Sequence, residues 1–306
     1  MILFRNLLPL LLLSLFACHQ KQAKEIDGQN PVSFATVKGI KFIEVRRAFD
    51  NGIAFDDQGF QQEPEWIVQF LSDTTVNTYS PTRKKMIHFI VTHSHDAVYN
   101  FAKEWFRVLK ISKDSLVFQR LQVTAKVVQK DARSNVYMTF YSESYIKNKL
   151  KITVKELQKP KKQDSLFVKK QAELANQNPL DSARFFAARN PVEFIPKSKM
   201  IAVKKVSNVD KLQNHSASYD YLYPEYEITI QPAYKEFYYS ISAIVDNKGK
   251  LFVYRFNAID EYRENRKKVL QGILDVYVSQ LATVKPGKTL GFTHSTLVVL
   301  DLVGKK

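Results

Sequence analysis

The sequence predicts an α+β protein: a β-rich N-terminal domain followed by a small C-terminal α+β sandwich. Three observations predict it. Short apolar runs of strand length, rich in β-branched and aromatic residues, recur between residues 34 and 155. A lysine-rich stretch broken by Pro160, Pro179 and Pro191 then interrupts them. The last third reads in the order strand, hairpin, strand, helix, strand. Hydrophobic residues at 45% and aromatics at 12% supply the core such a chain needs.

In the first part, residues 66–71, 86–91, 115–123, 136–141 and 151–154 are the predicted strands. One helix is predicted among them, because Ala97, Phe101, Trp105 and Leu109 recur at steps of four, with Val108 alongside and Asp96 placed to cap the start. A lipocalin-like barrel and another antiparallel sheet both fit this set. Residues 156–200 read as a basic, partly helical linker, with helices predicted over 164–177 and 181–189, each stopped before a proline.

Residues 201–306 form the second domain. Phe237–Val245 is a strand, Asp246-Asn247-Lys248-Gly249 a hairpin turn, and Lys250–Phe256 the returning strand. Asp260 precedes a helix whose apolar stripe is Tyr262, Val269, Leu270, Ile273, Leu274, Tyr277 and Leu281. Lys285-Pro286-Gly287 ends it, and Thr296–Val303 is the last strand. The pieces Ile244–Lys250, Val284–Gly291 and Thr296–Val303 stand in an order that resembles the C-terminal domain of TonB-like proteins. That resemblance covers about 65 residues of the chain and implies a protein-interaction domain. The chain departs from that family at its N-terminus, where energy transducers keep an uncut membrane helix.

That N-terminus has the layout of a secretory signal peptide: Arg5, then the apolar run Leu7–Ala17, then a polar stretch. The run is far shorter than the roughly 20 residues a membrane-spanning helix needs. Leu15-Phe16-Ala17-Cys18 resembles the lipobox of bacterial lipoproteins, which implies removal of residues 1–17 and acylation of Cys18, with palmitate-type chains, at the new N-terminus. Residues 18–33 then read as a lipidated tether. Cys18 is the only cysteine, so neither a disulfide nor a cysteine-ligated metal is expected.

The formal charge is +16, and lysines crowd residues 147–170. Such an excess attracts anions; for an exported chain the candidates are acidic lipid or envelope polymer, not nucleic acid. Lys161 and Lys162 are the candidate contacts in this patch. Tyr221, Tyr223 and Tyr226, in the tyrosine-rich span from Tyr219 to Tyr239, are candidates for a sugar- or peptide-binding surface. His93-Ser94-His95-Asp96 resembles the start of the metal motif of metallo-β-lactamase-type hydrolases, and two imidazoles with a carboxylate suit zinc; the bland alternative is a polar loop. Pro286-Gly287-Lys288-Thr289 lacks the first glycine and the strand-to-helix order of a phosphate loop.

The expectation is therefore a lipid-anchored protein of the outer membrane or cell envelope, facing the periplasm, that binds another envelope protein or an anionic polymer without catalysis or cofactor. The alternatives are a metal-dependent envelope hydrolase using His93, His95 and Asp96, and a TonB-like transducer.

Overall fold

The computed structural model describes residues 31–125, 127–131, 134–207 and 218–306. The expected leader, Cys18 and the expected tether up to residue 30 lie outside the described residues. Among the described residues the fold is α+β, dominated by a large, nearly closed, barrel-like antiparallel sheet. None of their helices is long and apolar enough to cross a membrane.

The barrel sheet is built from β1 (Lys41–Phe49), β2 (Ile67–Ser72), β3 (Thr75–Ser80), β4 (Lys85–Ile90), β5 (Thr92–His95), β6 (Val98–Phe101), β7 (Glu104–Ile111), β8 (Ser115–Leu121) and β9 (Val136–Ser142). Their spatial order is β4-β3-β2-β1-β9-β8-β7-β6-β5. The two outermost strands, β4 and β5, are consecutive in the chain, with only buried Val91 between them. One stretch of chain therefore pairs first with β3 and then with β6, which draws the two edges of the sheet together. Alternate residues along each strand point inward, as in β9, whose burial alternates along its length.

The helix predicted from Ala97 to Leu109 is instead the hairpin β6–β7. Ala102 and Lys103 form its two-residue turn, both at positive φ (51° and 65°), the backbone that matches the twist of a tight hairpin. The core residues here are Ala97, Tyr99, Phe101, Phe106 and Val108, spaced by two along each strand, while Trp105 and Leu109 of the four-residue spacing lie outside the core. Asp96 sits at a turn with φ 49° and caps no helix. Residues 151–154 do not form the predicted strand either. Lys151 is left-handed, and Thr153 instead caps the helical turn Val154–Leu157 by accepting the Glu156 N–H.

A bulge at Val45 changes the phase of β1. Glu44 pairs with Phe140 and Arg47 with Met138, so both face the barrel interior, while Arg46 pairs with Thr139 on the outside. Inside, Arg47 grips the fully buried Glu44 through two hydrogen bonds of 2.8 and 2.6 Å, and the Glu65 and Trp66 N–H groups donate to the same carboxylate. Burial raises the Glu44 carboxyl above its ordinary 4.5, against the pull of Arg47 and the two amides. Outside, Arg46 makes a two-pronged pair with Asp164 at 2.7 and 2.9 Å.

Asp164 lies in the first turn of α1 (Lys162–Gln177), the predicted linker helix. It accepts the Lys161 and Ala54 N–H groups as well. One carboxylate thus closes the helix start and ties it to the barrel. The second predicted linker helix, 181–189, shrinks to the short turn Ser182–Arg184; Phe185 is already extended, and irregular chain leads on to the strand β10 (Glu193–Pro196). Phe186 and Ala188 are both buried, Phe186 in a cluster with Ala54, Phe55 and Val168.

The C-terminal sheet contains β11 (Ile201–Lys205), β12 (Glu225–Ile230), β13 (Phe237–Val245), β14 (Leu251–Phe256) and, after β15 (Ala282–Lys285), the final strand β16 (Thr296–Gly304). Its order is β11-β12-β16-β13-β14, with β12 and β16 parallel; β15 pairs separately with β10. The predicted hairpin turn is present: Asp246 accepts the Lys248 and Lys250 N–H groups, and Gly249 takes φ 84° where a Cβ would lie 2.3 Å from the Val284 carbonyl oxygen. Helix α2 (Arg263–Ile273), continued by a wide turn to Val278, covers one face through Leu270, Ile273, Leu274 and Val278. The buried stripe is narrower than predicted, since Tyr262 and Val269 are exposed. On the same helix, the Gln271 side-chain amide accepts the Val253 N–H and donates to the Leu251 carbonyl, occupying the outer edge of β14.

A junction cleft as candidate functional site

A barrel is an obvious place to hold a ligand, but aromatic rings crowd the interior of this one. Phe34, Phe42, Phe70, Phe101, Phe106, Phe118 and Phe140 are all buried inside it. All of these rings but Phe42 are linked by ring contacts, with Phe34 stacked on Phe70 at 3.9 Å and Phe101 on Phe106 at 4.5 Å. Charged pairs complete the interior: besides Glu44–Arg47, Arg120 reaches Glu104 at 2.8 Å.

A cleft opens instead where the barrel loops, the linker and the C-terminal sheet meet. The linker is pinned first. The Ala187 N–H donates to the Gln58 carbonyl, and Gly59 lies so close to Ala187 that a Cβ would be 2.6 Å from its carbonyl oxygen. Two residues on, Arg189 pairs with Glu63 and lies 4.4 Å over the Tyr221 ring. The Tyr221 hydroxyl accepts the Gln61 N–H. These contacts fix three segments, distant in sequence, around a cleft of ≈ 260 Å³.

The walls are Phe185, Phe186, Leu222, Tyr223 and Leu297, with Gln58, Ser182 and Thr296 offering hydrogen-bonding groups. Phe185 is braced edge-on by Tyr254 at 4.9 Å. Among the described residues, no carboxylate, imidazole, ammonium or guanidinium side chain belongs to this lining. The arrangement suits an uncharged group that presents an apolar face and accepts or donates a few hydrogen bonds.

Behind Phe186 lies a buried polar cluster. The His294 ring packs edge-on to Phe186 at 5.2 Å. Its Nδ1 lies 3.2 Å from the Ser295 carbonyl oxygen, which only accepts, so Nδ1 carries the proton; Nε2 faces the Thr289 hydroxyl at 3.1 Å, whose one proton it shares with the Ala187 carbonyl at 3.3 Å. Burial holds His294 below its ordinary 6.5. Asn176, from α1, accepts the Ser295 N–H and donates to the Thr293 carbonyl. The cluster fastens the β16 approach to the linker helix; both His294 and Thr289 are fully buried.

The residues singled out from the sequence are dispersed. Cys18 lies outside the described residues. His93, His95 and Asp96 are exposed around the β5–β6 turn. A register shift between His93 and His95 breaks the alternation that would place both imidazoles on one side. His93 Nε2 bonds the Asp96 backbone carbonyl, not its carboxylate, and His95 Nδ1 faces the Ser94 hydroxyl. Among the described residues, no group of three or more His, Cys, Asp or Glu is placed to hold a metal ion.

The tyrosines do not make one surface. Tyr221 and Tyr226 are each only 3% exposed, the latter donating its hydroxyl to the Val192 carbonyl, whereas Tyr223 is 62% exposed and borders the cleft. Their alternation along the chain reflects packing as well as display. Lys161 and Lys162 are exposed at the start of α1, remote in sequence from the cleft lining. Of the cleft residues only Tyr223 was singled out; Phe185 and Phe186 were read as part of a helix. A second, wider groove of ≈ 640 Å³ runs past Asp50, Arg107, Gln119, Lys130 and Asp131 at the barrel, with mixed charge and no converging ring wall.

Compared with known proteins, the chain matches no protein-family model and none of the curated proteins.

Proposed function

We propose that this chain is a lipid-anchored protein of the cell envelope, held through acyl chains on Cys18 and facing the periplasm, and that it works by binding another envelope component. The observation that carries the binding half is the uncharged, ring-walled lining of the junction cleft. Such a lining recognises surface and shape but offers no acid, base or charged nucleophile. An apolar side chain of a partner protein, set in the cleft as an anchor, fits this chemistry.

Two measurements test the reading. Mass spectrometry of the mature protein is expected to show an N-terminus at acylated Cys18, with Cys18→Ser abolishing lipid incorporation. An uncut N-terminus would return the chain to the TonB-like alternative. A photoreactive residue at Tyr223 is expected to cross-link a discrete envelope protein in cells, and the same probe at Lys248 is not. Equal labelling from both positions would remove the cleft from consideration. Stoichiometric zinc lost on His93→Ala would instead favour the hydrolase alternative.

A further inference from the structure

Helix α1 has two unlike faces. Asp164, Val168, Ala172 and Ala175 are buried against the body of the protein. On the other side, Lys162, Leu166, Lys169, Lys170 and Glu173 are all exposed. At 3.6 residues per turn these five fall within an arc of roughly 100°. Leu166 therefore stands among three lysines and is 58% exposed. Lys161 adds a further exposed charge where the helix begins. The only carboxylate on the face is Glu173, whose nearest lysine oxygen–nitrogen approach is 3.9 Å, to Lys169. The face is thus cationic with an apolar centre.

The helix is also well placed to orient the molecule. Its first turn is bound to the barrel through Arg46–Asp164, and its last turn to the approach to β16 through Asn176. Whatever surface lies under α1 fixes the attitude of both sheets at once.

We infer that the Lys162–Leu166–Lys169–Lys170 face of α1 docks flat on an anionic bilayer surface, with the lysines at the headgroups and Leu166 inserted between them. This inference rests on the membrane attachment proposed through Cys18 and deepens it: the acyl chains tether, and α1 sets the orientation. Charge complementarity selects the bilayer. Lysines held near an anionic surface are each attracted to it, and a leucine between them gains by leaving water. An acidic protein groove would have to match a leucine ringed by lysines in shape as well as sign. A bilayer matches it with no shape requirement.

The test uses full-length acylated protein with vesicles of phosphatidylcholine alone or with phosphatidylglycerol added. Flotation with the neutral vesicles reads the acyl anchor by itself. Amine-labelling rates at Lys162, Lys169 and Lys170 read the docking. Labelling is expected to slow several-fold on the anionic vesicles only, and to recover at high salt. In unacylated Cys18→Ser protein, the triple variant Lys162→Glu, Lys169→Glu, Lys170→Glu is expected to lower partitioning onto anionic vesicles by about a hundredfold. Reversing Lys248, Lys267 and Lys268, also exposed, is expected to leave it unchanged. Leu166→Ala is expected to weaken docking at high salt more than at low. Equal labelling on both vesicle types, or an equal loss from the two triple variants, overturns the inference, whether or not the anchor is present.

Discussion

Seven phenylalanines fill the interior of the barrel, whereas the core of the C-terminal sheet is mostly aliphatic, with Ile228, Ile230, Leu251, Leu300 and Leu302 packed under α2. The barrel hides its apolar face by curving the sheet until β4 and β5 meet at Val91. The C-terminal sheet stays open and hides its face under a helix. The difference bears on where binding can occur. A sheet closed on itself lines its interior with aromatic rings, and an open sheet leaves an edge and a margin. The edge of β14 is occupied by Gln271; the margin, where β16 begins beside the linker, borders the cleft.

Core truncations break the comparison most directly. Phe118 is ringed by Phe70, Phe101, Phe106 and Phe140. Phe118→Ala is expected to cost about 3–5 kcal/mol in urea unfolding, because a closed sheet relaxes little into the cavity. Leu300→Ala, in the middle of the open sheet, is expected to cost about 2–4 kcal/mol, since α2 can settle inward. If the leucine variant proved the more damaging, the closed sheet would not be the stiffer of the two.

Arg46→Ala removes one partner of a nearly buried pair and is expected to cost about 3 kcal/mol near neutral pH. Burial works to raise the Asp164 carboxyl, but Arg46 and the two amides together hold it below its ordinary 3.8. A carboxylate so depressed contributes stability above 3.8 that is lost as pH falls through its folded value. The gap between wild type and variant should therefore close in strong acid, which urea titrations at several pH values would show.

His294 sharpens the comparison at the junction. It is held neutral below its ordinary 6.5, so the unfolded chain takes up a proton first as pH falls. Stability is full above 6.5 and declines below it, by at most ~1.4 kcal/mol per pH unit, the limit for one proton. His294→Gln is expected to remove this acid-dependent step while leaving the Asp164 step in place. Gln271→Ala has the smallest expected effect, about 1 kcal/mol for the two edge hydrogen bonds. It is also expected to promote self-association, measured by sedimentation, because it exposes the β14 edge.

How much of this was legible depended on whether the turns announced themselves. Asp246-Asn247-Lys248-Gly249 carries its own turn chemistry, so β13, β14, α2 and β16 could be read in order. Ala102-Lys103 carries none, yet it adopts two positive φ angles under tertiary pressure, and the flanking hairpin read as a helix. The shifts of register in β1, β5 and β7 interrupt the two-residue period on which strand reading depends. The cleft was beyond reach for a simpler reason. Its walls come from residues 58, 182, 185–187, 222–223 and 296–297, and no local pattern joins them. Tyr223 was noticed among other tyrosines, but nothing in the sequence separates it from buried Tyr221 and Tyr226.

The adjacent arginines of β1 have a consequence for proofreading during folding. If the bulge at Val45 failed to form, the strand beyond it would change phase, setting Arg46 opposite Met138 inside the barrel, where Arg47 now stands, and Arg47 opposite Tyr137 outside. Glu44 would still face an arginine. The inner ion pair is therefore nearly blind to the error, because it scores charge and both candidates carry the same one. The penalty falls on the next residues, since Phe49, now packed against the barrel core, would be turned out into water and Ala48 turned in. Strong polar contacts hold this strand in place, but an apolar ring two residues further on tells the right alignment from the wrong one.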